Sequence, residues 1–174
     1  AIKYGFIYDR DLFDYIVENM SNILTKRDED VLKKIILRSC EIKSEVVSKD
    51  VNENDLRMIL NFGHTIGHGL EAYFEYKTLL HGEAIIYGMK CALHLSHTIG
   101  SLSHEEYRLG LKALSDFTLP SIDIKEKKNI LEFVKRDKKF RQEKIRFVLI
   151  SEIGTADISN EITLDHIEES LEVL

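Results

Sequence analysis

Hydrophobic residues recur along the chain at the three-to-four-residue spacing of amphipathic helices, with short polar segments between the repeats. Leu12, Ile16 and Met20 follow one another at steps of four behind an acidic first turn. This spacing predicts a first helix over residues 9–24. The same periodicity predicts five more helices, over residues 28–49 and 54–74, from near 81, from 103 to before Pro120, and over 123–136.

Capping and strand signals complete the pattern. Ser103 followed by Glu106 is the signature of a capping box, and Thr163 can cap a last short helix. Around Gly154, β-branched and aromatic residues alternate on both sides of a turn, which indicates a β-hairpin. We therefore expect a mostly α fold, a multi-helix domain with one small β-hairpin, over residues 1–174.

Charge and composition restrict the class of function. The chain has 24 Lys and Arg against 30 Asp and Glu, a formal charge of −6 and a pI of about 5.7. It lacks the basic footprint that nucleic acid or an anionic membrane requires, so we expect neither as a partner. No segment reaches the ~20 apolar residues of a membrane span. Cys40 and Cys91 lie in apolar-periodic stretches and predict buried thiols in a reducing, cytoplasmic environment.

The segment DLRMILNFGHTIGHGLEAYF is the main candidate for chemistry. At ~100° per residue, a helix here places four polar side chains within an arc of roughly 60°. These four residues are Arg57, Asn61, His64 and His68. The opposite face carries an apolar stripe typical of a core. A solvated face would carry Glu–Lys pairs, so the polar face predicts a binding site.

Two glycines, Gly63 and Gly67, lie within the same predicted helix, where each costs ~1 kcal/mol relative to alanine. Two explanations for glycine at these positions are compatible with the sequence. Either another backbone or a ligand approaches closely beside the imidazoles, or the two glycines make a GxxxG-like packing contact with a neighbouring helix.

His64 and His68 stand four residues apart, which allows both imidazoles to bind one metal ion, although HTIGH lacks the Glu of the HExxH motif. Surface or core roles are the alternative. His81 favours a metal site because it opens the next helix after a short loop. Imidazole suits Zn²⁺, and a catalytic zinc needs three protein ligands. If this chain supplies two histidines, one further protein ligand remains to be identified. Four other histidines have no potential ligand at a spacing typical of a metal site, so we expect structural roles for His94, His97, His104 and His166.

Lysines are candidates for binding an anionic substrate. Lys43 lies on a rather apolar stretch of its helix and, with Arg57 close in space, would suit an anion. Ion pairs with the neighbouring glutamates are the alternative. The doublet Lys138–Lys139 is either a basic helix end or part of an anion site.

Five segments together resemble one enzyme family: AIKYG, RSCEIKSEVVSKD, LNFGHTIGHGLE, LLHGEAIIYGM, and RDKK ahead of IRFVLI. They are similar to the α-helical C-terminal domain of 3-dehydroquinate synthase over essentially the whole 174 residues. The resemblance implies that the family's NAD-binding N-terminal domain is absent here. It also implies a homodimer, and the opening at Ala1 without a leader pattern suggests a piece cut from a longer protein.

The resemblance implies a lyase of the shikimate pathway, which leads to chorismate and the aromatic amino acids. NAD oxidises a hydroxyl of 3-deoxy-D-arabino-heptulosonate 7-phosphate, phosphate is eliminated, and the ketone is reduced again. Ring opening and an intramolecular aldol step then give 3-dehydroquinate, and NAD returns unchanged. A divalent metal, zinc or cobalt, polarises the reacting oxygen as a Lewis acid.

Site residues are implied by the matching motifs. His64 and His81 match the family's metal ligands, and catalytic roles are implied for His68, Lys3 and Lys43. The implied substrate contacts are Lys43, Arg57, Asn61, His68 and one of Lys138 and Lys139. NAD would contact mainly the absent domain. The family's third metal ligand is a Glu directly before the AIK segment, so we expect the chain alone to bind zinc weakly and to show no turnover.

Three other functions remain open. A related sugar-phosphate cyclase would use another substrate on the same fold. A metal-dependent polyol dehydrogenase would produce net NADH, which the synthase does not. A noncatalytic helical interaction module would leave the polar face of the segment around His64 and His68 exposed to solvent, and its histidines would have no function there.

Overall fold

The computed structural model describes residues 1–50, 56–125, 127–137 and 145–174. Within them the chain forms eight α-helices and one antiparallel β-hairpin, which confirms the mostly α fold class. The helices are α1 (Ile2–Ile7), α2 (Arg10–Glu18), α3 (Glu29–Lys49), α4 (His64–Tyr73), α5 (His81–Thr98), α6 (His104–Ser115), α7 (Lys127–Asp137) and α8 (Leu164–Ser170). The remaining elements are strands β1 (Ile145–Glu152) and β2 (Thr155–Ile162), 3₁₀-helices Leu56–Asn61 and Leu171–Val173, and a π-helical turn Asn22–Lys26.

Polar caps explain where several helices begin. The carboxylate of Asp28 accepts a hydrogen bond from the amide of Val31 at 3.1 Å, at the start of α3. The hydroxyl of Thr163 accepts one from the amide of His166 at 3.3 Å, at the start of α8. Each cap satisfies an amide that has no partner within its own helix. The predicted starts of these helices are thereby confirmed.

Ser103 and Glu106 have separate structural roles: Ser103 caps a helix, and Glu106 joins distant elements. The hydroxyl of Ser103 accepts from the amide of Glu106 at 3.2 Å and caps α6, as the sequence signature predicts. The carboxylate of Glu106 instead accepts from Arg10 at 2.8 Å and from the amide of Ile153 at 2.7 Å. Glu106 therefore links α2 and α6 to the turn of the hairpin.

The hairpin docks onto α5. In its register Ile150 pairs with Ala156, and Gly154 takes a φ of +103° in the turn. Ser96 of α5 is fully buried, and its hydroxyl accepts the amide of Ile150 at 3.0 Å. An amide of β1 is thus satisfied by a helix side chain, which holds the strand against the core.

The core lies between the helices and the inner face of β1. Its largest fully buried side chains are Phe6, Phe13, Phe62, Phe147, Ile7, Ile42, Ile66, Leu70, Met89, Leu93, Leu95 and Leu114. The apolar stripe predicted opposite the histidines contributes Phe62, Ile66 and Leu70 to this set. Among the described helices, none combines the length and apolarity that crossing a membrane requires.

Two predictions about the first half of the chain are wrong in part. The helix predicted over residues 9–24 ends at Glu18, where the side-chain amide of Asn19 bonds the Tyr15 carbonyl at 2.9 Å. This bond offers the backbone an alternative to continuing the helix. Cys91 is buried, but Cys40 is exposed because it lies on the outward face of α3.

The helix predicted over residues 54–74 is also wrong as one continuous element. Leu56–Asn61 form a 3₁₀-helix, and α4 begins only at His64. Between them Gly63 has a φ of +77°, a left-handed conformation that glycine adopts without the steric cost of a Cβ. Arg57 and Asn61 therefore do not share a helix axis with His64 and His68, and the single polar face predicted for these four residues is not formed.

Candidate metal centre

Helices α4 and α5 bring three imidazoles together at their N-terminal ends. The ring centroids of His64 and His68 are 5.4 Å apart, those of His64 and His81 5.6 Å, and those of His68 and His81 5.9 Å. His64 opens α4 and His81 opens α5. Two consecutive helices thus bring three imidazole rings close together, as the sequence pattern predicts.

Glycines allow this approach of the two helices. A Cβ on Gly88 of α5 would lie 2.0 Å from the carbonyl oxygen of Gly63. A Cβ on Gly67 would lie 2.7 Å from the side chain of Ile85 and 3.1 Å from the Ala84 carbonyl oxygen. These contacts are with backbone and side-chain atoms of α5, so they support both the close approach of another backbone and the packing of a neighbouring helix at Gly63 and Gly67.

His64 is oriented and kept neutral by its surroundings. Its Nδ1 lies 3.1 Å from the carbonyl oxygen of Phe62, so Nδ1–H donates and Nε2 keeps its lone pair. Burial and the nearby ammonium of Lys3 lower the pKa of His64 to about 4. A neutral imidazole with a lone pair on Nε2 is the form that binds a metal ion.

Glu71 was not identified from the sequence. This buried carboxylate lies 3.2 Å from Nδ1 of His81, whose side chain is 59% exposed. One donor atom each from His68, Glu71 and His81 lies within 4.8 Å of the others. Imidazole nitrogens and a carboxylate oxygen are ligands suited to Zn²⁺ or Co²⁺. The sequence spacing could have indicated this residue, because Glu71 follows His68 by three residues and therefore shares its helix face.

Lysines surround one side of the histidines. The ammonium of Lys3 donates to the Leu60 carbonyl at 2.6 Å and lies 3.5 Å from Nε2 of His64. Burial, and secondarily the positive charge of Lys43, lower the pKa of Lys3 to about 8. Lys43 of α3 therefore faces the same region as Lys3, although its side chain is exposed.

The other predicted site residues lie on neighbouring elements. Arg57 and Asn61 are half-buried on the 3₁₀-helix Leu56–Asn61, which packs against α3 and α1. They therefore lie on an element separate from α4, which carries His64 and His68. Lys138 and Lys139 lie outside the described residues.

A cavity of about 860 Å³ opens beside the histidines. Its lining includes Lys3, His64 and His81 together with apolar side chains such as Ile35 and Ile36 of α3, whereas Lys43, Arg57, Asn61 and His68 do not line it. The volume is within the range of small-molecule sites. The cavity can therefore place an anionic molecule near the ammonium of Lys3 and the imidazoles of His64 and His81.

Solved structures with a similar fold include two sugar-phosphate cyclases. The 2-epi-5-epi-valiolone synthase ValA from Streptomyces hygroscopicus subsp. jinggangensis, solved with NAD⁺ and Zn²⁺, superposes with a TM-score of 0.85 at 24% identity. A 2-deoxy-scyllo-inosose synthase, solved with carbaglucose-6-phosphate, NAD⁺ and Co²⁺, gives a TM-score of 0.76 at 21% identity. The matches cover 99% of this chain and 48% and 49% of those chains. The fold is thus one that forms part of such cyclases.

The chain belongs to the family described as 3-dehydroquinate synthase C-terminal, whose model matches residues 1–140. The 3-dehydroquinate synthase of Thermoanaerobacter pseudethanolicus is 43% identical over 174 residues, covering 99% of this chain and 48% of the relative. That of Thermodesulfovibrio yellowstonii is 42% identical over 173 residues, covering 98% and 48%. The chain therefore spans about half the length of the curated relatives it matches.

Proposed function

We propose that the chain is the C-terminal, metal- and substrate-binding domain of a two-domain 3-dehydroquinate synthase. That enzyme converts 3-deoxy-D-arabino-heptulosonate 7-phosphate to 3-dehydroquinate and phosphate. The observation that carries the proposal is the meeting of His64, His68 and His81 beside the ammonium of Lys3, in a chain of this family. A solvated interaction surface would not need a neutral, half-buried imidazole at this position.

His64 and His81 are the proposed metal ligands. Each ring has its Nδ1 next to an oxygen acceptor, the Phe62 carbonyl for His64 and the Glu71 carboxylate for His81. Such partners fix the tautomer and leave Nε2 for the cation. When bound, the cation supplies Lewis-acid polarisation of a substrate oxygen. Glu71 is therefore proposed as the group that orients His81.

The cationic side chains are proposed to bind the substrate. Lys43 and Arg57 would pair with its carboxylate, and the amide of Asn61 would bond a hydroxyl. His68 lies one helical turn after His64 and is proposed to accept or return a proton near the substrate. Lys3, with a pKa lowered to about 8, is poised to hold or release a proton close to physiological pH.

The remaining parts of the enzyme are proposed to lie outside this chain. The hydride transfers belong to NAD, which would be bound mainly by the enzyme's own N-terminal domain. A homodimer is expected for the whole enzyme. We expect these 174 residues by themselves to release no phosphate, because they match only about half the length of the 3-dehydroquinate synthases.

The full-length protein, supplied with the heptulosonate phosphate and NAD, tests the proposal. The expected result is release of phosphate and 3-dehydroquinate in equal amounts without net NADH. Accumulating NADH would instead identify a polyol dehydrogenase, and turnover only with another sugar phosphate would identify a different cyclase. Metal content, compared between the wild type and His64→Ala, separates a wrong metal centre from a wrong substrate.

A further inference from the structure

A second group of imidazoles lies at the opposite end of α5. His97 is in the last turn of that helix, and His104 is the first residue of α6. Nε2 of His97 and Nδ1 of His104 are 3.5 Å apart, and the ring centroids are 5.3 Å apart. Neither residue touches the candidate metal centre, which is formed at the other end of α5.

The ring of His97 is held in one orientation. Its Nδ1 lies 3.0 Å from the carbonyl oxygen of Leu102, so Nδ1–H donates and the lone pair is on Nε2. The ring also stacks on Tyr107, with a centroid distance of 4.9 Å and an interplanar angle of 14°. A backbone carbonyl on one nitrogen, with the lone pair on the other, is the usual arrangement of a metal-binding histidine. Without an ion, Nδ1–H of His104 donates to that lone pair at 3.5 Å, and a metal ion would take the place of this proton.

The spacing of the two nitrogens matches a shared metal ion. With Zn–N bonds of about 2.0–2.1 Å and tetrahedral angles, two ligand nitrogens lie about 3.4 Å apart. His97 and His104 are at nearly this distance before any ion binds. His104 is exposed, so an ion and its water ligands can reach the pair from solvent.

We propose that His97 and His104 form a peripheral binding site for a divalent transition metal of the imidazole-preferring class, such as Zn²⁺, Ni²⁺ or Cu²⁺. Two imidazole nitrogens supply the protein ligands, and water completes the coordination. The site is independent of the proposed synthase activity. An ion bound there ties the end of α5 to the start of α6 across residues 99–103, and it stabilises the folded state by mass action.

Calorimetric titration of the full-length protein with ZnCl₂ tests this site. The wild type is expected to show a weaker binding event besides that of the candidate metal centre. His104→Asn retains a polar side chain but loses the imidazole, so it should weaken that event at least tenfold, as should His97→Phe, which retains the stacking on Tyr107. His94→Asn is the matched control. Nδ1 of His94 lies 3.4 Å from the hydroxyl of Tyr107, and His94 is not one of the two proposed ligands.

Two further measurements make the result decisive. His64→Ala should retain the weaker event, which separates this site from the candidate metal centre. With CuCl₂, the electron paramagnetic resonance spectrum of the variant His64→Ala/His68→Ala/His81→Ala should show coupling to two nitrogens, and the additional change His104→Asn should leave one. Circular dichroism without metal checks that each variant is folded. If zinc binds folded His104→Asn and His97→Phe with wild-type stoichiometry and affinity, the proposal is overturned.

Discussion

The ammonium of Lys3 lies 3.5 Å from Nε2 of His64, the nitrogen that we assign to the metal ion. Burial disfavours a proton on the imidazole of His64, and the cation at this position acts in the same direction. The two effects together keep the ring neutral and available as a ligand.

The first prediction is that the His64 ring titrates near pH 4 in the metal-free protein. Lys3→Met removes the neighbouring charge, so the pKa of His64 should rise toward 6.5, whereas Lys3→Arg should keep it low. Histidine Cε1–H chemical shifts followed by NMR measure both. A wild-type His64 that titrates near 6.5 would show that the ring is solvated.

The second prediction concerns stability in acid. The ordinary pKa of a histidine is 6.5 and that of His64 is about 4 in the folded chain, so between these pH values the unfolded state binds more protons. The contribution of His64 is therefore unchanged above pH 6.5, and the metal-free protein should lose stability as the pH falls from 6.5 toward 4. Urea unfolding at several pH values measures the loss. His64→Gln should flatten the curve in this window, and an equal slope in both proteins would refute the assignment.

The third prediction tests Glu71. Glu71→Gln should lower zinc affinity about 10- to 100-fold, because the amide is a weaker acceptor for Nδ1–H of His81. Glu75→Gln is the matched control: Glu75 is exposed and pairs with Lys77 at 2.6 Å. Competition with a chromophoric chelator measures the affinity in the full-length protein. Equal zinc affinity in Glu71→Gln and Glu75→Gln would exclude an orienting role.

The fourth prediction tests the contact between α4 and α5. Gly88→Ala would place its Cβ 2.0 Å from the Gly63 carbonyl oxygen, so the helices must separate. We expect a loss of about 3 kcal/mol in unfolding free energy, at the upper end for overpacked cores. Gly82→Ala in the same helix meets nothing within 4 Å and should be neutral or slightly stabilising. Denaturant melts compare the two, and similar stabilities would contradict the packing.

Local signals in the sequence predicted much of the fold. Asp28, Ser103 and Thr163 marked helix starts because a capping hydrogen bond spans only two or three residues. The alternation around Gly154 marked the hairpin for the same reason. These features depend on neighbours in the chain and need no knowledge of the rest of the structure.

Two of the errors came from contacts between distant segments. The left-handed turn at Gly63 is associated with Gly88, 25 positions along the chain, and periodicity alone does not reveal such a pair. Glu71 was missed likewise, because its partner His81 lies on the next helix. The grouping of the three histidines was predicted, since it requires only that a short loop returns the chain beside α4.

The backbone-to-backbone contact between Gly63 and Gly88 has a consequence for how the centre accommodates ions. Main-chain atoms cannot change rotamer, so the gap between the two helices is fixed before any cation arrives. Adjustment to the size of an incoming ion then falls to rotation of the imidazoles, and exchange of one metal for another should leave α4 and α5 in place.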